Sequence, residues 1–575
     1  MKNKYFFIGA LLALSVFSGC SEDFLDRPPQ SALVDANFYQ TDAQILASTS
    51  LLYNIVWFDY NDKASYNLGD YRGGTVYSQW NDRDNVEFNT TANTPDNGAT
   101  WRSFFNVIGQ ANTTIYNINT YAGSAVSESV KQHAIAEARF MRATAYSLLV
   151  MNYGAVPIIE NNLNYLENST SLVPNTVESV WEFITRDYLF AAENLPATPV
   201  QLGRVTKWSA EGMLARTYLT RAGVGSTGGN KNQEFLDKAK QYAEDVIINS
   251  GKALLPRYED LFKYPYDNNN ESLFELQWVF HPTAWGTQNS APAYLAFSGD
   301  IANGDGWGGD KGATLWMLSQ YDGLVEDGFT VDQRLKATFM LPGFIYPEIT
   351  QNATDAAGKA IKQDLLVPFT GTDNNVANVK KYVPGQAVDM NGEAMSQRYP
   401  IDTYMLRLAE MYLIYAEAAV ANNNVTTDSK ALEYFNMVHT RAGLPPVTTI
   451  RMDRVFTADS TLVNGDKIPV FHDDIFEERV KEFAMEGMVW YDLVRMHYYN
   501  PEKAYGIISN QDRGHYFVQP NQMPNPTSWT FIKTSWATAR FFKANSGNFM
   551  IPIPAAELSQ APNLMAEPVP YDFGD

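Results

Sequence analysis

The chain has 575 residues, 45% of them hydrophobic, which is enough for a large buried core and argues against intrinsic disorder. Its 43 Lys and Arg stand against 64 Asp and Glu, a formal charge of −21 that disfavours nucleic acid and other polyanions as partners overall. With one cysteine, no intrachain disulfide can form.

Lys2 and Lys4 precede an apolar stretch from Tyr5 to Phe17 and then Ser18-Gly19-Cys20, the layout of a secretory leader with a small-residue cleavage site. The stretch is too short for a transmembrane helix, which needs about 20 apolar residues. Placed after two small residues, the lone Cys20 resembles the lipidated position of a bacterial lipobox. Residues 1–19 are therefore read as the leader, 20–34 as a lipidated tether carrying Pro28 and Pro29, and 35–575 as one folded domain. No later segment has the length and apolarity to span a bilayer.

Thr41-Asp42-Ala43-Gln44 has capping-box form, and Ile45, Leu46, Thr49, Leu52, Tyr53 and Val56 follow at helical spacing. Apolar stripes from Trp101 to Ile118 and from Ala134 to Leu148 predict two more helices, the latter stopped by Gly154 and Pro157. Further helices are expected over about Val177–Asn194, Thr206–Arg221, Phe235–Asn249, Tyr404–Ala421, Lys430–Ala442 and Ile475–Met496. The fold class is thus mainly α. Small residues once per turn, such as Ala134, Ala138 and Ala145 or Ala409, Ala416 and Ala419, suit the close helix pairs of a degenerate tetratricopeptide-like array. Helical scaffold is expected over about 35–255 and 401–500, an irregular insertion over about 256–400, and a C-terminal segment over 501–575.

The insertion is rich in Gly, Asn and Asp and carries Trp278, Trp285, Trp307 and Trp316. A second irregular stretch, Tyr60 to Thr100, holds Tyr66, Tyr71, Tyr77 and Trp80. Long loops on a helical scaffold commonly carry function, so these two stretches form the candidate binding surface.

Most chemistry-bearing motifs are absent or out of context. Gly223-Val224-Gly225-Ser226-Thr227-Gly228 matches a dinucleotide fingerprint but follows a helix where a strand is required, so it reads as a helix terminator. The six histidines never come within five residues of one another, and no catalytic serine elbow or phosphate loop occurs. Asp267-Asn268-Asn269-Asn270-Glu271 lacks the ordered spacing of a calcium loop and reads as a solvated turn. Neither a metal nor a cofactor is expected. Glu478, Glu482 and Glu486 recur every four residues and read as helix-surface ion pairs. A glycosidase needs only two suitably spaced carboxylates, which sequence cannot measure, so that alternative stays open.

Several ordered motifs run from leader to tail: the Cys-Ser-Glu-Asp-Phe-Leu-Asp start at Cys20, Ala136-Glu137-Ala138-Arg139-Phe140-Met141-Arg142-Ala143 running on to Tyr153-Gly154-Ala155-Val156-Pro157, and Gly203-Arg204-Val205-Thr206-Lys207. Tyr404 to Ala418, Glu477 to Gly487, and Ile551-Pro552-Ile553-Pro554 through Leu564 complete the set. Together they resemble the SusD/RagB family. The resemblance implies a SusD-like fold with a tetratricopeptide-like scaffold and an irregular, loop-rich ligand-binding half, without catalytic activity. It further implies a lipid-anchored protein on the exterior of the outer membrane that passes oligosaccharides to a SusC-like TonB-dependent transporter, RagB-like relatives handling peptides instead. Arg139, Arg142, Arg407 and Arg479 fall in these motifs and are read as buried or interhelical pairs. A sugar ring needs an aromatic platform with a polar rim, which points to Trp285, Trp80, Tyr77 and Trp307 as platform and to Asn81, Asp82, Arg83, Gln288 and Asn289 as rim. Glycines around Trp307 are expected to admit the ligand closely.

Overall fold

The Thr41 hydroxyl accepts the Gln44 N–H at 3.3 Å and starts helix α1, Asp42–Ser48. The expected continuation to Val56 is replaced by two short 3-10 turns, Ser50–Tyr53 and Ile55–Trp57. Side chains that bond the local backbone interrupt the helix: the Thr49 hydroxyl lies within hydrogen-bond distance of Leu46 O and of Glu137, and Asn54 Oδ1 accepts the Ile55 N–H. The structure, a computed structural model, describes residues 35–78, 82–164, 169–226, 228–371, 375–463, 466–533 and 541–574.

The long helices follow: α2 Pro95–Tyr121, α3 Glu128–Tyr153, α4 Val177–Asn194, α5 Lys207–Arg221, α6 Gln233–Asn249, α7 Leu408–Val420 and α8 Ser429–Arg441. Pro95 occupies the first turn of α2, and Gly154, at φ +70°, ends α3. Asn232 caps α6 and Asp428 caps α8 through their side chains. From α2 to α8 each helix packs on the next, including α6 on α7 across the whole insertion, so the array is continuous although the chain is not. Ala134, Ala138, Ala145, Ala409 and Ala416 are fully buried at these crossings. Large side chains fill the space around them, among them Trp57, Trp181 and Tyr188. Each fully buried large apolar side chain contributes roughly 1.5–3 kcal/mol. No helix among the described residues is long and apolar enough to cross a membrane.

Two further expected helices differ. Tyr404 to Arg407 belongs to a strand that pairs antiparallel with Ser272–Leu276, and α7 starts only at Leu408. The segment Ile475–Met496 forms two helices, α9 Asp474–Phe483 and α10 Val489–Tyr499. Between them Met485 and Gly487 adopt φ of +66° and +74°, and their N–H groups donate to the Asp70 carboxylate at 2.6 and 2.7 Å. Helical spacing cannot report a carboxylate that arrives from more than 400 residues away in sequence.

Placement also corrects the reading of Glu478 and Glu482 as surface residues: both are buried. Glu482 accepts from Arg407 at 3.0 Å and from Arg441 at 2.5 Å, and Glu478 accepts from Arg334 at 2.7 Å. Burial opposes the charge on Glu482, yet Arg441, Arg407 and Arg334 hold its carboxyl down to about 2. Arg142, Arg407 and Arg479 are buried ion-pair partners as expected, of Asp187, Glu271 and Asp492 among others. Half-buried Arg139 lies over the Phe190 ring and 3.7 Å from Asp187.

Between α6 and α7 no helix exceeds five residues among those described. Its strand Lys311–Ala313 pairs with Val76–Ser78, which stitches the insertion to the stretch after Tyr60. That earlier stretch is less irregular than expected, since Tyr60–Ala64 and Asn67–Tyr71 are π-helical turns and Arg83–Val86 is a short helix.

Candidate functional site

The strand pairing sets Tyr77 opposite Gly312 and Ser78 opposite Lys311, and the insertion presents two half-exposed tryptophans. Trp285 is 49% exposed. Phe58 meets its ring edge-on at 5.5 Å, and the Arg398 guanidinium lies over it at 5.1 Å while donating to Ala284 O at 3.3 Å. Trp307 is 46% exposed, and its ring packs at 5.1 Å on Tyr294, over which the Lys63 ammonium sits at 4.4 Å. Gln397 and Arg398 link the two rings: Tyr294 Oη donates to Gln397 Oε1 at 3.4 Å, and Gln397 N donates to Asp305 at 2.7 Å. Asp62 accepts from the Ser290 hydroxyl, and burial pushes its carboxyl up from the usual range.

The other expected contacts fall elsewhere. Tyr77 is 7% exposed, packed against His515, so its ring faces have no room for a sugar. Tyr66 and Tyr71 are likewise buried. Gln288 and Asn289 are buried beneath the Trp285 loop. Gln288 Oε1 accepts the Gly286 N–H at 2.8 Å, and Asn289 Nδ2 donates to Ile401 O at 2.9 Å, so both shape the loop from below. Asp82 is buried too; it pairs with Lys311 at 3.4 Å, and Lys311 Nζ donates to Trp307 O at 3.0 Å, so it acts on the platform through lysine. Arg83 is exposed and paired with Glu87 at 2.7 Å. Trp80, Asn81 and Cys20 lie outside the described residues.

The glycines at Trp307 serve packing, contrary to expectation. A Cβ at Gly306 would stand 2.3 Å from Ser298 C, and one at Gly308 would stand 2.1 Å from Leu295 O. Sequence reasoning missed Phe58, Lys63, Tyr294, Gln397 and Arg398. A tyrosine two residues after Pro292 or an arginine before Tyr399 carries no signal of its own.

A second cluster replaces the solvated turn expected at Asp267. One carboxylate oxygen from each of Asp267, Glu275 and Asp402 lies within 4.8 Å of the others. Burial pushes all three carboxyls up, Asp267 to about 6, Glu275 to about 7 and Asp402 well above its usual value. Asn268 bridges them, its Nδ2 donating to Asp402 and its N–H to Glu275, both at 3.0 Å. Such an all-oxygen set suits a hard divalent cation better than a transition metal.

The architecture is a helical array interrupted by a loop-rich insertion that presents two half-exposed tryptophans. The SusD family model matches residues 261–569, and a model described as starch-binding, associating with outer membrane, matches residues 23–219. A SusD-like protein of Bacteroides ovatus is 35% identical over 100% of this chain and 99% of its own length. A relative crystallised with xylogluco-oligosaccharide is 34% identical, with a TM-score of 0.78 over 92% of this chain and 100% of its own. A laminarin-binding SusD-like protein shares the fold at 22% identity, with a TM-score of 0.62 over 91% of this chain and 98% of its own. The chain belongs to the SusD family.

Proposed function

We propose that this protein captures oligosaccharides on its surface at the Trp285 and Trp307 platforms, without catalysing their cleavage. One observation carries the reading: two large rings, each about half exposed, are each backed by a neighbouring ring, Trp285 by Phe58 and Trp307 by Tyr294, with the Arg398 guanidinium over Trp285. A pyranose presents apolar C–H faces and a hydroxyl edge, and this arrangement offers a partner to each. The relative crystallised with xylogluco-oligosaccharide supports a glucan-type ligand. The lipobox-like setting of Cys20 and the outer-membrane association in the family model's description support a lipid-anchored place on the outer membrane, and by the same reading the protein faces outward beside a SusC-like TonB-dependent transporter that receives the sugar.

The test is a panel of xylogluco-, laminari- and malto-oligosaccharides, read by calorimetry together with a reducing-end assay. Saturable binding of at least one, with no new reducing ends after long incubation, is the expected result. Release of reducing ends would make the protein a hydrolase, and copurified peptides with no glycan binding would favour a peptide carrier. Recovery of the protein from solubilised membranes without a TonB-dependent transporter would count against the pairing.

A further inference from the structure

Two cavities, of about 500 and 420 Å³, lie end to end along α2 and share Asn162. The first spans Trp101 to Gly109 and is closed by the C-terminal Glu557 to Leu564, while the second spans Asn112 to Tyr121. From Trp101 to Tyr121 the helix is about 30 Å long at 1.5 Å per residue, and each volume falls in the range of roughly 300–1,000 Å³ typical of ligand sites.

The lining suits a neutral glycan. Tyr116 offers a ring 49% exposed on the helix surface, and the amides of Asn106 and Asn119 are exposed beside the groove. None of the lining residues belongs to a strand, so an extended peptide would find no ladder to join. The charged lining residues are Glu160 and Glu557 against Arg102, which already pairs with Asp59 at 2.6 Å, so an anionic ligand would meet an acidic surplus. A chain of contacts connects the groove with the aromatic platform. Phe58 contacts Trp285, its neighbour Asp59 holds Arg102, and Arg102 lines the first cavity.

We infer that the α2 groove is a second contact surface for the same polymer: a neutral polysaccharide held at Trp285 runs past the Asp59–Arg102 pair and along α2 to Tyr116. This rests on the reading of Trp285 as a glycan platform. A short oligosaccharide occupies the platform alone, whereas a long chain engages both surfaces and gains avidity without a new molecule.

Two variants probe the groove. Tyr116→Ala removes the exposed ring, and Gly109→Phe fills the waist, where a Cβ meets nothing nearer than Asn162 Nδ2 at 4.0 Å. Binding is measured to xylogluco-oligosaccharide and to polymeric xyloglucan, with thermal melts to confirm folding. Both variants should bind the polymer about tenfold or more weakly while keeping unmodified affinity for the oligosaccharide. Polymer affinity within about twofold of the unmodified protein in both would overturn the groove. Equal loss of oligosaccharide and polymer would also overturn it as a separate surface. Failure of the unmodified protein to bind either probe would instead sink the reading of the Trp285 platform.

Discussion

Arg398 shows how one side chain can tune a binding ring. Its guanidinium covers part of Trp285 and bonds Ala284 O, so it fixes both the ring and the loop that carries it. Arg398→Ala should therefore weaken oligosaccharide binding about two- to thirtyfold, from the ~0.5–2 kcal/mol of a cation–π contact, and leave the melting temperature nearly unchanged. Unaltered affinity, measured by calorimetry, would show that Trp285 holds its orientation alone. At this scale the sequence was only partly legible. Trp285 in a polar loop was readable as a platform candidate, but Tyr77 lies in an equally polar context and is buried. What separates them is a strand partner more than 200 residues away, and neither composition nor spacing encodes it.

Helices α2 to α6 and α8 were legible because their apolar stripes are long, and Gly154 marks the end of α3 locally, whereas the start of α2 at Pro95 lies ahead of the stripe that begins at Trp101. The break between α9 and α10 was not, because it depends on Asp70 and on a close backbone crossing. A Cβ at Gly69 would stand 2.3 Å from the Gly487 Cα, so Gly69→Ala must displace one of the two segments. Destabilisation of about 1–3 kcal/mol, read by denaturant unfolding, is expected from this overpacking, and a neutral result would mean the crossing is loose. Acidic clusters set the pH response of the same elements. Asp70 titrates at about 7, higher in the folded protein than a carboxyl does in an unfolded chain, so the folded state binds the extra proton. Stability should accordingly rise as pH falls from about 8 to about 5. Glu410, Glu417 and Glu482 are held down to about 2 by arginines, so their contribution is present above about pH 4.5 and is lost as pH falls toward 2. Melts across this range should show a maximum near about pH 5. A maximum at pH 8 would contradict the signs assigned to these groups.

For the whole molecule, the order of family motifs made the scaffold readable from end to end, while the insertion between α6 and α7 stayed opaque because its ribbons are short and two-stranded, and several pair with segments far away in sequence. The array closes across that insertion, which leaves the aromatic face free to diverge without disturbing the helices. Delivery to a membrane is a separate matter of the first residues. Cys20→Ala should release the protein from the membrane fraction, and retention after salt and urea washes would place the anchor elsewhere. Trp285 and Trp307 together make up the proposed glycan platform. Calorimetry with xylogluco-oligosaccharide on Trp285→Ala, on Trp307→Ala and on the double variant tests it most directly. Each single variant should lose roughly ten- to hundredfold in affinity, about 1–3 kcal/mol for one stacking ring, and the double variant should lose measurable binding, all with melting temperatures near that of the unmodified protein. Undiminished affinity in the double variant would contradict the account.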